Sequence, residues 1–236
     1  HLTGSAKEAL QTADIILIPQ KGSEKSDLAG LRKYICARVL EKQPRFADFD
    51  LPTRDRNQPD YLRRVDTWHD AIANIWLETL NNELPKGGAA ALMIWGDPSL
   101  YDSSLRIAGR LKSRVNGLTV KVTPGLTSIQ LLTAAHGITL NEIGAPVMIS
   151  TGRQLRKRGW PVGCDTLVVM LDGDCSFDQL DSEKYLIWWG AFLGMPNELI
   201  ISGQLQECAG VIKSTREKAR EQHGWIMDVY LLKSKN

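Results

Sequence analysis

Apolar residues in this chain alternate between short unbroken runs and helical stripes. Residues 13–19 (ADIILIP) form an apolar run closed by a proline, and its length predicts a buried strand rather than a helix. The polar stretch QKGSEKSD that follows reads as a loop. Over 28–40, Leu28, Leu31, Ile35 and Val39 recur at spacings of three and four, which places them on one helical face, with Ser26 or Asp27 as the cap. Beyond a segment rich in Pro, Asp and Arg, the residues Tyr61, Val65, Trp68, Ile72, Ile75, Trp76 and Leu80 mark a long amphipathic helix that ends before the turn at 85–88.

From residue 89 the pattern becomes strand, turn, helix. The run 89–95 is apolar throughout, GDPS turns the chain, and Leu105, Ile107, Ala108 and Leu111 mark a helix over 102–115. A continuous apolar strand between helices predicts a parallel sheet covered on both faces. Residues 118–123 (LTVKVT) alternate as a strand, the turn PGLTS follows, and a helix ends at Gly137, a residue suited to a left-handed cap. Further strands are expected at PVMIS, DTLVVML and YLIWW, then a polar helix over 207–222 and a terminal strand in GWIMDVYLL whose direction stays open. A second series of strands begins at 118–124 without an internal repeat, so the expectation is an α/β protein of two domains, 1–118 and 119–236, with a cleft between them.

Composition narrows the class. At 236 residues with 43% hydrophobic and 24% charged residues, the chain is long and apolar enough to bury a core, which excludes disordered and low-complexity classes. The 29 Lys and Arg nearly cancel the 27 Asp and Glu, and a net charge of +2 supplies no global field for nucleic acid or an acidic membrane. The four cysteines, Cys36, Cys164, Cys175 and Cys208, and the four scattered histidines have no metal-ligand or redox spacing, so no metal site is expected. HLTGSAKEAL has no apolar stretch of signal length and the longest apolar run is far short of a membrane span. A cytoplasmic protein is the expectation.

Two segments carry candidate chemistry. In WGDPSLY, Trp95 and Gly96 close an apolar run, where a glycine admits a ligand close to the backbone, Asp97 can accept hydrogen bonds and Pro98 directs the turn. In VTPGLTSIQ, Thr127 and Ser128 are hydroxyls at a helix start, able to cap it or to hold a polar ligand. Each alone is as well explained by an ordinary turn or cap. Two strand-end turns one strand–helix unit apart, however, fall side by side in a doubly wound sheet, where ligands bind.

The apolar strand with GDPSLYDS, then VTPGLTSIQ, STGR, TLVVMLDG and GMPNE in that order, resembles the tetrapyrrole methylase family over almost the whole chain. Longer strings, SDLAGLRKYIC, DTWHDAIA, WGDPSLYDSSLRIA, IWWGAFLGMPNE and HGWIMDVYLL, resemble the branch of that family that makes precorrin-6A with loss of acetate in aerobic cobalamin biosynthesis. The resemblance implies S-adenosyl-L-methionine folded between two α/β domains, a homodimer, and a small-molecule tetrapyrrole substrate, precorrin-5, methylated at C-1 with release of acetate. It implies cofactor contacts at Trp95, Gly96, Asp97, Leu100, Thr127, Ser128, Met170, Leu171 and Gly190. One departure is that the family's opening glycine-rich motif is absent, the chain starting at what resembles its last residues, His1, Leu2 and Thr3, so the family's first strand is expected to be missing.

Methyl transfer to an electron-rich carbon needs in-line positioning more than covalent help, and loss of acetate needs a group that assists water. Asp97 and Tyr101 are the leading catalytic candidates, with Asp102 and His136 near the same motifs. A polycarboxylate ring needs cations, and Arg153, Arg156, Lys157 and Arg158 form the densest basic run, with Lys21, Lys25, Arg54 and Arg56 in other loops. Of these, Arg153, Arg156 and Arg158 are the expected substrate-binding residues, with a solvated loop the alternative for each. Alternative functions are a methylase for another precorrin position or for RNA, and a non-catalytic corrinoid-binding protein.

Overall fold

A computed structural model of the chain describes residues 1–20, 26–55 and 57–235, the side chains of Ser26 and Asp27 excepted. The expected cap at Ser26 or Asp27 and the basic residues Lys21, Lys25 and Arg56 lie outside the described residues. The chain divides into two units, His1–Leu126 and Thr127–Asn236.

The first unit holds strands β1 (Ile15–Gln20), β2 (Phe46–Asp50) and β3 (Ala90–Leu92) with helices α1 (Gly4–Gln11), α2 (Ser26–Val39), α3 (Tyr61–Glu83) and α4 (Ser104–Lys112). The sheet order is β2-β1-β3, all parallel, with Ile16 opposite Phe46 and Ala91. Central β1 explains its own unbroken apolar run. Alternate side chains go to opposite faces: Ile15 and Leu17 join Phe49, Ile72, Trp76, Ile107 and Leu111 in one core cluster, while Ile16 and Ile18 join Leu10, Ala29 and Cys36 in the other. The long helix follows its stripe. Ile72 and Trp76 are buried along α3, and the Trp68 indole N–H donates to the Pro52 carbonyl at 2.7 Å.

Two expectations fail here. The run 89–95 is a strand only over Ala90–Leu92 and is half-buried or exposed, because β3 pairs with β1 alone and is an edge. Residues 118–123 form no strand, with Val120 and Val122 exposed. An alternating pattern becomes a strand only when a neighbour accepts its backbone bonds, and among the described residues none does. The two units divide after Leu126, and the 124–126 segment is tied to the first unit by the bond from the Gly125 N–H to Asp97.

The second unit holds β4 (Val147–Thr151), β5 (Thr166–Met170), β6 (Tyr185–Ala191), β7 (Leu199–Gln204) and β8 (Asp228–Ser234), with α5 (Ser128–His136), α6 (Gly152–Arg158) and α7 (Leu205–His223). Its order is β4-β5-β8-β6-β7. Only β4 and β5 run parallel; β8 lies antiparallel to both β5 and β6, which settles the direction of the terminal strand. Its core packs Leu155, Leu167, Val169, Phe177, Ile187, Trp189, Ile212, Tyr230 and Leu232. Among the described residues no helix is long and apolar enough to cross a membrane, and no group of three or more His, Cys, Asp or Glu could hold a metal ion.

Candidate active site

In the first unit the chain leaves β3 through Met93 and Ile94 and enters the turn 95–101. Gly96 takes a positive φ of 75°, and the 124–126 segment passes so close that a Cβ on Gly125 would lie 2.2 Å from the Gly96 carbonyl oxygen. Only glycine fits there. Asp97 joins the two segments: one carboxylate oxygen accepts the Gly125 N–H at 2.8 Å, and the other accepts the Ser99 N–H at 2.9 Å together with the Ser99 hydroxyl. Hydrogen bonding from the Ser99 side chain, then from the Gly125 and Ser99 N–H groups, holds the Asp97 carboxyl below its ordinary range. The turns expected to be neighbours are therefore latched together, although the second does not end a strand. The Leu100 N–H closes the turn onto the Asp97 carbonyl at 3.2 Å. Tyr101 takes a left-handed φ of 50°, and partial desolvation raises its phenol. Asp102 accepts the Ser104 N–H at 2.6 Å and so starts α4.

In the second unit Thr127 caps α5. Its hydroxyl accepts the Ile129 N–H at 3.1 Å and donates to Gln130, whose side chain accepts the Thr127 N–H at 2.9 Å. That reciprocal box uses the Thr127 O–H and one of the two lone pairs on its oxygen. The Ser128 hydroxyl has no partner among the described residues and is the polar group left at this helix start. Gly137 ends α5 in the left-handed region, as expected. His136 Nε2 lies 3.0 Å from the Trp189 carbonyl oxygen, a structural contact. Gly190 is buried on β6, where a Cβ would meet Leu193 at 2.7 Å and Leu132 of α5 at 2.9 Å. Within this unit its glycine serves close packing of helix on sheet.

At the end of β5, Met170 leads into Leu171, which is 67% exposed and holds a left-handed φ of 53°. Such a conformation in a non-glycine residue is strained and needs support. Asp172, 6% exposed, supplies it. Its carboxylate accepts the Ser176 N–H and hydroxyl, each at 2.6 Å, the Tyr230 hydroxyl at 2.7 Å, Arg156 at 3.1 Å and the Asp174 N–H at 3.2 Å. Burial pushes this carboxyl up, but the bonds from Ser176, Tyr230 and Asp174 outweigh it and leave the group below its ordinary range. Arg216, on α7, pairs with Asp228 at 2.7 Å and donates to the Asp172 carbonyl at 2.6 Å. Trp189 also donates to Asp228, at 2.8 Å. The STGR motif follows from the same carboxylate, since a Cβ on Gly152 would lie 2.1 Å from it.

Arg156 is thus bound internally, to Asp172, Asp174 and Ser176. Arg153 and Arg158 are exposed, and Arg54 stacks its guanidinium 4.1 Å from the Trp68 ring centroid. The basic run therefore splits into an anchor, Arg156, and three surface cations, Arg153, Lys157 and Arg158. Sequence reasoning missed the Asp172, Arg216, Asp228 and Tyr230 network, whose members lie far apart in the chain. The one local signal was an aspartate directly after a fully apolar strand.

A parallel three-stranded sheet with a turn after its edge strand, followed by a mixed five-stranded sheet, is a two-unit α/β architecture. The chain belongs to the tetrapyrrole (corrin/porphyrin) methylase family, whose profile matches residues 1–209. A precorrin-6A synthase [deacetylating] from Sinorhizobium sp is 44% identical over 235 residues, covering 99% of this chain and 90% of that protein. The crystal structure of a cobalamin synthesis related protein (CobF) from Corynebacterium diphtheriae superposes with a TM-score of 0.83 at 35% identity, covering 99% of this chain and 92% of the other. A uroporphyrin-III C-methyltransferase from Thermus thermophilus, complexed with S-adenosylhomocysteine, shares the fold at a TM-score of 0.53 and 16% identity, over 98% of this chain and 90% of that one.

Proposed function

We propose that this protein is the S-adenosylmethionine-dependent C-methyltransferase that converts precorrin-5 to precorrin-6A, methylating C-1 and releasing acetate in cobalamin biosynthesis. The observation that carries the reading is the 44% identity to a deacetylating precorrin-6A synthase across 99% of the chain. Within the first unit the residues suit a nucleoside thioether: the latched turns at Gly96 and Gly125 offer backbone at close approach, and Trp95 and Leu100 offer apolar surface. S-adenosylmethionine, when bound, supplies an electrophilic methyl group on a sulfonium.

In this reading Asp97 shapes the site. Both its oxygens are committed to Ser99 and Gly125, so it holds the two turns in register and leaves their backbone to the ligand. Tyr101, strained and with its phenol kept protonated at neutral pH, is the group assigned to donate a hydrogen bond to the acyl oxygen while water attacks. The ring–acyl bond breaks with its electron pair left on the ring, which takes the methyl at C-1, while water adds hydroxyl to the acyl carbon, acetate leaves and two protons are released. Arg153 and Arg158 meet substrate carboxylates at the surface, while Arg156 positions Asp172. The reading includes a homodimer in the cytoplasm, and no partnership with nucleic acid or membrane; a net charge of +2 supports the latter.

The test is turnover of precorrin-5 with S-adenosylmethionine, followed by S-adenosylhomocysteine and acetate. One equivalent of each per product is expected. Methyl transfer without acetate moves the substrate to another precorrin, and neither product leaves only corrinoid binding. Tyr101→Phe is expected to slow acetate release about 100-fold with S-adenosylhomocysteine affinity unchanged; an unchanged rate removes Tyr101 from the chemistry.

A further inference from the structure

The described residues include two buried arginines, and they are treated differently. Arg216, 7% exposed, meets the Asp228 carboxylate with two nitrogens, at 2.7 and 3.2 Å. Arg32 on α2, 9% exposed, has no carboxylate within ion-pair distance among the described residues. Its Nε donates to the Met93 carbonyl at 3.3 Å and one Nη1 hydrogen to the Leu28 carbonyl at 3.3 Å, which leaves Nη2 without an acceptor among the described residues. Among the described residues the acidic side chain that acts on it is Asp102, one of whose oxygens accepts the Ser104 N–H. A buried cation with no described carboxylate within ion-pair distance is costly, and burial lowers Arg32 to about 10 even with Asp102 opposing the shift.

The position of Arg32 says what would compensate it. Its guanidinium carbon lies 4.7 Å from the centroid of the Trp95 indole, an exposed ring at the start of the latched turn, and its Nε bond goes to Met93, two residues earlier. The fork therefore waits at the carboxyl edge of a parallel sheet, where ligands of such sheets lie. A planar guanidinium is suited to a carboxylate, and an exposed indole beside it to a flat apolar ring. We propose that Arg32 receives a carboxylate of the substrate's side chains, an acetate or propionate of the tetrapyrrole, with Trp95 against the ring edge. This rests on the reading that the substrate is a tetrapyrrole polycarboxylate. Arg32 is then a specificity residue, and the carboxylate completes a charge pair that the fold leaves open.

The experiment measures fluorescence binding of uroporphyrin III, an octacarboxylate, and of its octamethyl ester to the full chain, Arg32→Met and Arg32→Lys. Each protein is first titrated with S-adenosylhomocysteine. For Arg32→Met the Kd for the octacarboxylate is expected to rise about tenfold or more, while Kd for the ester and for S-adenosylhomocysteine stays within about twofold. Arg32→Lys keeps the charge, loses both backbone bonds and is expected to recover part of the octacarboxylate affinity. Octacarboxylate binding unchanged in a Met variant that still binds S-adenosylhomocysteine overturns the inference alone. A Lys variant as weak as the Met variant, with the ester weakened equally, overturns it in favour of a structural arginine. Should Arg32→Met not fold, Arg32→Lys decides: a rise of about threefold for the octacarboxylate, with none for the ester, is expected, and no rise overturns the inference. If the wild type binds neither form, the substrate class itself falls.

Discussion

Asp97 and Asp172 occupy the same local position, one turn beyond an apolar run, and are built into opposite environments. Asp97 is half-buried and bonds only to Ser99 and Gly125 in its own and one neighbouring turn. Asp172 is buried and gathers Ser176, Asp174, Arg156 and Tyr230 from α6, β8 and the loop after β5. Both carboxyls are held below their ordinary range, by few bonds in one case and by many bonds working against burial in the other. The difference teaches that one motif can serve as a clip between two surface turns or as the centre of a structural network, and that depth decides between them.

Substitutions sharpen that contrast. The largest expected effect is from Asp172→Ala, which strands Tyr230, Arg156 and the Ser176 donors in a buried site and should cost about 3–5 kcal/mol, read from urea unfolding. The pH dependence has a definite sign. Because the folded carboxyl titrates below the unfolded one, its contribution is present above the unfolded value and is lost as pH falls through the folded value. The stability gap between wild type and Asp172→Asn should therefore narrow below about pH 4, and a gap constant with pH would contradict the ionised network. Gly152→Ala comes next. Its Cβ would meet the Asp172 carboxylate, and a loss of about 1–3 kcal/mol is expected, smaller in the Asp172→Ala background, where the obstacle is gone. The smallest effect on stability is from Asp97→Ala, about 1 kcal/mol, because its donors are near water.

Much of this architecture was legible in the chain. The run that became β1 is apolar because both faces of a central strand are covered, and the stripe of α3 survives because Ile72 and Trp76 pack on the sheet. Patterning failed where the outcome depends on a neighbour. The run 89–95 and the alternation at 118–123 look like strands by side chains, yet the first is an edge and the second has no described partner. The latch between Asp97 and Gly125 was foreseeable as two adjacent turns, but not as a hydrogen bond. Gly190 and Thr127 also have roles inside their own unit that the sequence does not announce, close packing against Leu132 and Leu193 and the capping of α5. The Asp172 network was invisible because Arg156, Ser176, Arg216 and Tyr230 converge only after folding, and nothing local distinguishes a buried aspartate from a turn aspartate.

Under the proposed function the latched pair of turns is where cofactor is held. Calorimetric titration of S-adenosylhomocysteine into wild type and Asp97→Ala tests it most directly, with unfolding midpoints measured on the same samples. The expected result is tight binding by the wild type, and for the variant a Kd raised about tenfold or more with a midpoint close to the wild type's. Unchanged affinity in a folded Asp97→Ala protein would contradict the claim.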